Sequence, residues 1–185
     1  MAQYPELIRL TCSVDLNCPE QSYIEKIVPY LVGVWIDDYT GNNRSADIIE
    51  TRVSEFSYLF DVGAERLIAA WGISKGKNPE VRPKDRMKGH PLGAGPLYHR
   101  GHAIPHTLGG PTDINLVPQL GKINIGPFRA LEKKAVASPG SFYFTYWKYQ
   151  GSAPTRSGHP VQTPTGVDQG LMVPGKPPVV THYGN

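Results

Sequence analysis

Cysteine is nearly absent: Cys12 and Cys18 are the only two in 185 residues, too few for a disulfide-stapled scaffold. They stand six apart, which is not a zinc-ligand spacing, and no second Cys/His pair completes a site; two unpaired thiols are the expectation. Long hydrophobic runs are missing too. No stretch approaches the ~20 apolar residues of a membrane helix. Met1 is not followed by a basic and then apolar leader, so neither a membrane anchor nor a signal peptide is expected, and the compartment stays open. Internal repeats are lacking as well. What is present, 39% hydrophobic and 19% charged residues, is ordinary for a globular chain able to bury a core as one domain, or one domain with an extension.

The net charge of +3 conceals a division. Residues 1–71 carry five Lys/Arg against eleven Asp/Glu, a balance of −6; residues 72–185 carry fourteen against five, a balance of +9. Such asymmetry suggests an acidic segment joined to a domain with an anionic partner, nucleic acid above all, because Lys and Arg neutralise phosphates. A basic half that merely makes a soluble surface accounts for it equally well.

Residues 1–71 read as helical. Asn17 can cap, Pro19 suits a first turn, and Ile24, Ile27, Val28, Leu31 and Trp35 recur at three- and four-residue intervals. Pro29 should kink or divide this helix. Ser45 can cap a second helix with Ile48, Ile49, Val53, Phe56, Leu59 and Phe60 on its apolar face, and a shorter helical run is expected over 64–71. Residues 72–97 lose periodicity and gather Lys75, Lys77, Arg82, Lys84, Arg86 and Lys88, either a phosphate-contact region or a solvated linker. Strands are then expected over 97–104 and 114–117, followed by a helix with Asn124 at its entrance and Pro127 in its first turn. Phe128, Leu131 and Ala135 would form its buried face. An aromatic strand over 141–149 and short strands over 171–173 and 179–182 complete the order.

The chemistry concentrates in Tyr98-His99-Arg100-Gly101-His102, Asn115-Leu116-Val117-Pro118-Gln119, Asn124 and Glu132. Histidine can take a proton from water near neutral pH, and an asparagine oxygen can hold a hard divalent cation. Together they are a minimal kit for metal-assisted phosphodiester hydrolysis. Asn124 and Glu132 are eight apart, offset by about 80° on a continuous helix and so on neighbouring parts of one face. Asn124 can ligate Mg²⁺ directly while Glu132 holds one of its waters. His102 at a strand end can face them, its ring held by a backbone carbonyl or by Asn115. Arg100, on the same strand face, can clamp phosphate or pack structurally. An isolated Arg-Gly-His is common; the spacing of the three elements is what makes the set specific.

Arg100-Gly101-His102, then Asn115-Leu116-Val117-Pro118-Gln119, then Asn124 with Gly126 and Arg129-Ala130-Leu131-Glu132, resembles the DNA/RNA non-specific endonucleases among the ββα-metal (His-Me finger) nucleases. The resemblance covers about residues 98–149. It implies an α+β fold with a ββα-metal core of antiparallel strands in the basic domain of 72–185; it does not explain the acidic helical region 1–71 that precedes it. It implies His102 as general base, Asn124 as direct Mg²⁺ ligand (Mn²⁺ a substitute), Glu132 as water-mediated support and Asn115 as a site-shaping residue. His99 stands where the family has Asp, which predicts retained activity with altered pH behaviour or site geometry. The family's upstream phosphate-contacting arginine has Arg82 and Arg86 as nearest candidates, and His106 is either a substrate contact or a plain loop histidine.

The implied activity is Mg²⁺-dependent, sugar-nonspecific cleavage of DNA and perhaps RNA. A compact nuclease of this kind resembles bacterial toxin or effector domains, for which an acidic immunity protein is the expected inhibitor of the +9 half. The alternative of another class is a nucleic-acid-binding module that keeps the fold without the reaction. His99 favours it; retention of His102, Asn124 and Glu132 together opposes it. A transition-metal HNH nuclease would want further histidines on the helix after Asn124, and there are none.

Overall fold

The computed structural model describes residues 2–43, 45–81, 89–91, 94–150 and 161–185; Arg82 and Arg86 lie outside them. A six-stranded, wholly antiparallel sheet runs in the order β1-β2-β3-β6-β7-β8. Its strands are β1 (Ile48–Val53), β2 (Phe56–Asp61), β3 (Arg66–Ile73), β6 (Phe142–Lys148), β7 (Gly166–Met172) and β8 (Val179–Gly184). A separate antiparallel pair, β4 (Tyr98–His102) and β5 (Leu116–Leu120), leads into α4 (Gly121–Asn124) and α5 (Pro127–Val136). The chain is therefore α+β with mostly antiparallel strands, and β3 carries the sheet across position 71 by pairing with β6.

The helical expectation for residues 45–71 is overturned: this stretch is three strands. Its apolar residues fit a helical spacing, but many are β-branched or aromatic and find cross-strand partners, such as Ile49 with Phe60 and Val53 with Phe56. The turns between them carry no Asn-Gly signal. Ser54 takes φ +56 and Glu65 φ +52, left-handed conformations that neither residue type advertises.

Helical structure ends instead at Asn42. α1 (Leu7–Cys12) is followed by α2 (Pro19–Ser22), a π-helical turn over Tyr23–Ile27, and α3 (Val28–Asn42). The expected break at Pro29 takes that form. Proline has no N–H to donate and its ring crowds the carbonyl four residues back; one widened turn relieves both. The extra residue also rotates the helix face. Tyr23, Ile27, Leu31, Trp35 and Tyr39 are buried, while Ile24, expected among them, is 52% exposed. Asn17 does not cap α2; its backbone and side-chain amides both donate to the Asp15 carboxylate. Cys12 and Cys18 are both free and exposed. Among the described residues no helix is long and apolar enough to cross a membrane.

Strands β3, β6 and β7 are buried nearly throughout, so the sheet is covered on both faces. On one face Trp35 of α3 packs against Trp71, Phe144 and Tyr146 with ring centroids 5.3–6.1 Å apart. The N-terminal segment is fastened there by Tyr4, whose hydroxyl donates to Asp168 at 2.9 Å. The other oxygen of that carboxylate accepts from Lys148 and pairs with His182, each at 2.8 Å. On the opposite face Phe128 of α5 meets Trp147, and Gln169 donates to the Phe128 carbonyl at 3.0 Å. The alternating sets of the aromatic strand thus face different layers.

Removing Trp35 leaves a hole among three aromatic partners. Trp35→Ala is expected to cost about 3–5 kcal/mol, read as a lowered midpoint in denaturant titration; a loss under about 1 kcal/mol would place the core elsewhere.

Candidate active site

The hairpin β4–β5 presents the first part of the site. Asn115, fully buried, accepts from the Ile104 amide at 2.7 Å and donates to the carbonyls of Ile104 and Pro111 at 2.6 and 2.9 Å. Both of its amide hydrogens and its oxygen are bonded to the loop after His102, so Asn115 shapes this loop. The loop closes tightly: a Cβ on Gly110 would stand 1.9 Å from the Ile104 carbonyl oxygen, leaving room only for glycine.

After β5 the expected single helix is broken. Asn124 ends the one-turn α4, and Ile125–Gly126 separate it from α5. Pro127 explains the break, since its ring disfavours helical geometry in the preceding residue, and Gly126 leaves it with φ −99 and ψ −118. The offset of 80° calculated for a continuous helix therefore does not apply, and α5 alone supplies the expected buried face of Phe128, Leu131 and Ala135.

The break nonetheless leaves Asn124 and Glu132 on one cleft. Its volume is about 420 Å³, and His102, His106, Asn124 and Glu132 all line it. His102 is buried at the end of β4, whereas Asn124 and Glu132 are partly exposed. Behind Glu132 lies Tyr143, whose phenol is held well above its ordinary pKa, first by burial and then by the Glu132 carboxylate, so it remains neutral there.

Arg100 and His99 are not on this cleft. Arg100 lines a separate hollow with Pro91, Leu116 and Pro118. The ring of His99 lies against the Gly121 backbone, and its Nδ1 is 3.5 Å from the side-chain nitrogen of the ligand candidate Asn124. A larger hollow of about 640 Å³, bordered by Phe60, Leu67 and Tyr149, lies on other elements and contains none of the four cleft residues.

Lys77, Asn78, Glu80 and Arg129 also line the cleft, and the sequence reading gave none of them a role in the chemistry there. Lys77 belonged to a basic stretch that nothing attached to the site. Asn78 makes the attachment, donating its backbone amide to Thr107 O at 2.7 Å and its side-chain amide to His106 O at 3.1 Å. The Asn78-Pro79 pair, a turn signal, was the only local hint.

Among the described residues no group of three or more His, Cys, Asp or Glu side chains can hold a metal ion. A closed zinc-type cage is thus not formed by those residues. The cleft offers oxygen donors, the Asn124 amide and the Glu132 carboxylate, a sparse set that fits a hard cation retaining most of its waters.

No protein-family profile and no curated protein sequence matches the chain. Among solved structures it is similar to a chain of the EndoG/EndoGI complex, a structure concerned with the mechanism of EndoG inhibition. The identity is 16% and the TM-score 0.44, with 66% of each chain covered, so this chain spans just under two thirds of the one it matches. A likeness of that size assigns neither family nor activity.

Asn115→Ala should destabilise the protein by about 1–3 kcal/mol for each backbone group left unsatisfied, and should raise hydrogen exchange at the Ile104 amide. Unchanged exchange at Ile104 would show that the loop does not depend on this clamp.

Proposed function

We propose that the protein is a metal-dependent endonuclease of the ββα-metal type, hydrolysing phosphodiester bonds of DNA and, by the same chemistry, of RNA. What supports the reading is the convergence of His102, Asn124 and Glu132, drawn from a strand end, a one-turn helix and a second helix, on one cleft that Lys77 and Arg129 also line. A structural histidine has no need of such neighbours.

In this reading Lys77 and Arg129 draw in and orient the phosphodiester by its charge. His102, held at the end of β4 by the Asn115-clamped loop, takes the proton of the attacking water at its imidazole. Asn124, through its amide oxygen, and Glu132, through bound water, would hold the Mg²⁺, with Mn²⁺ as a substitute. When bound, the ion offsets charge on the phosphate and the departing oxygen. His99 keeps the Asn124 side chain in place from behind. The +9 balance of residues 72–185 suits an acidic inhibitor protein as partner, as a toxin nuclease would require.

Plasmid incubated with the purified protein should be nicked and degraded with Mg²⁺ and left intact with EDTA. His102→Ala should lower the rate about 10²- to 10⁴-fold, the usual worth of a general base, without loss of DNA binding in a gel shift. Asn124→Ala should raise the Mg²⁺ concentration needed for half-maximal rate. Intact plasmid with Mg²⁺ and Mn²⁺ across pH, alongside a persisting gel shift, would make the protein a binding module instead.

A further inference from the structure

The side chain of Asn185 joins the hairpin to the main sheet. Its Oδ1 accepts from the Leu120 amide at 2.8 Å, and its Nδ2 donates to the Pro118 and Pro164 carbonyls, each at 2.9 Å. Its own backbone amide donates to Thr165 O at 2.9 Å, just before β7. Pro118 O and Leu120 N flank Gln119 on the edge of β5 turned away from β4. One carboxamide therefore does for that edge what a peptide group of a third strand would do, and its second N–H carries the connection to the large sheet.

The latched edge lies immediately before the helix that bears Asn124. Leu120 is the residue from which α4 starts, Gly121 N is tied to Leu97 O at 2.9 Å, and Asn124 ends that single turn. β5 is thus held on both edges where α4 begins. α5, with Glu132, is packed by Phe128 and Gln169 on the large sheet. The two halves of the cleft belong to different sheets, and the Asn185 amide spans them.

We infer that Asn185 is a positioning residue for the cleft: by fastening the Pro118–Leu120 edge to the large sheet it sets where Asn124 and His102 stand relative to Glu132. The inference rests on the reading of that cleft as the nuclease site. It acts through the hairpin, and Asn185 itself is no catalytic residue.

The test is the full chain with Asn185→Ala and, as a second variant, Asn185→Asp, which keeps an acceptor for Leu120 but turns a carboxylate toward two carbonyls. Hydrogen exchange is measured by NMR at Leu120 and at β6–β7 amides, together with the Asn124 side-chain and His102 ring resonances and their broadening by Mn²⁺ alone. In Asn185→Ala, Leu120 exchange should rise about tenfold or more, equivalent to ~1.4 kcal/mol of local opening, while β6–β7 amides hold. The Mn²⁺ concentration for half-maximal broadening should rise several-fold, and Asn185→Asp should be at least as severe. Faster Leu120 exchange with an unchanged Mn²⁺ midpoint and unmoved Asn124 and His102 resonances would reduce Asn185 to a structural tie. Unchanged Leu120 exchange would overturn the latch itself. If the parent protein shows no Mn²⁺ broadening, the nuclease reading fails, and the metal-free Asn124 and His102 resonances still decide whether Asn185 positions them.

Discussion

A sheet whose central strands are buried on both faces must be covered twice, and the rest of this structure depends on that demand. β3, β6 and β7 alternate their large side chains between two layers, so neither layer can be omitted without exposing a row of aromatic rings. The N-terminal helices supply one cover through Trp35, and α5 supplies the other through Phe128. Because α5 also carries Glu132, the demand for a second cover places half of the cleft. The site is a by-product of closing the core.

The acidic and basic parts of the sequence, so distinct in charge, are not distinct in structure. The acidic part contributes the three strands β1–β3 and the helices behind them, and the basic part contributes the strands that complete the same sheet. Charge divides by surface, whereas strand pairing is decided by backbone groups and buried side chains that carry almost no charge. Asp61, Arg66 and Asp168 are charged side chains buried within these strands, and Asp168 shows how such a group is satisfied. Deep between the layers, it is matched by Lys148 and His182 on neighbouring strands and by Tyr4 from the N-terminal segment, so a buried carboxylate is stabilised by partners from distant parts of the chain.

Prolines and glycines govern the local detail. Pro29 turns one helical turn into a π-turn and so selects Tyr23 over Ile24 for burial. Pro127 with Gly126 splits the helix after Asn124 and allows that residue to end its own short element. In both places the apolar pattern alone suggested an unbroken helix, and the proline changed the local geometry.

By itself, the sequence determined the strand–loop–strand–helix order around His102 and Asn124, the buried face of α5, the aromatic strand and the residue types available for chemistry. These depend on punctuation, periodicity and side-chain identity, all of which are local. Only the tertiary structure decided that residues 48–73 form three strands, because a helical spacing of apolar residues is equally a strand pattern once partners exist across the sheet. Only it decided that Arg100 faces another hollow while Lys77 and Arg129 face the cleft. And only it brought Asn185 against β5, since a contact over 65 residues leaves no trace in either segment and is set by how two sheets pack.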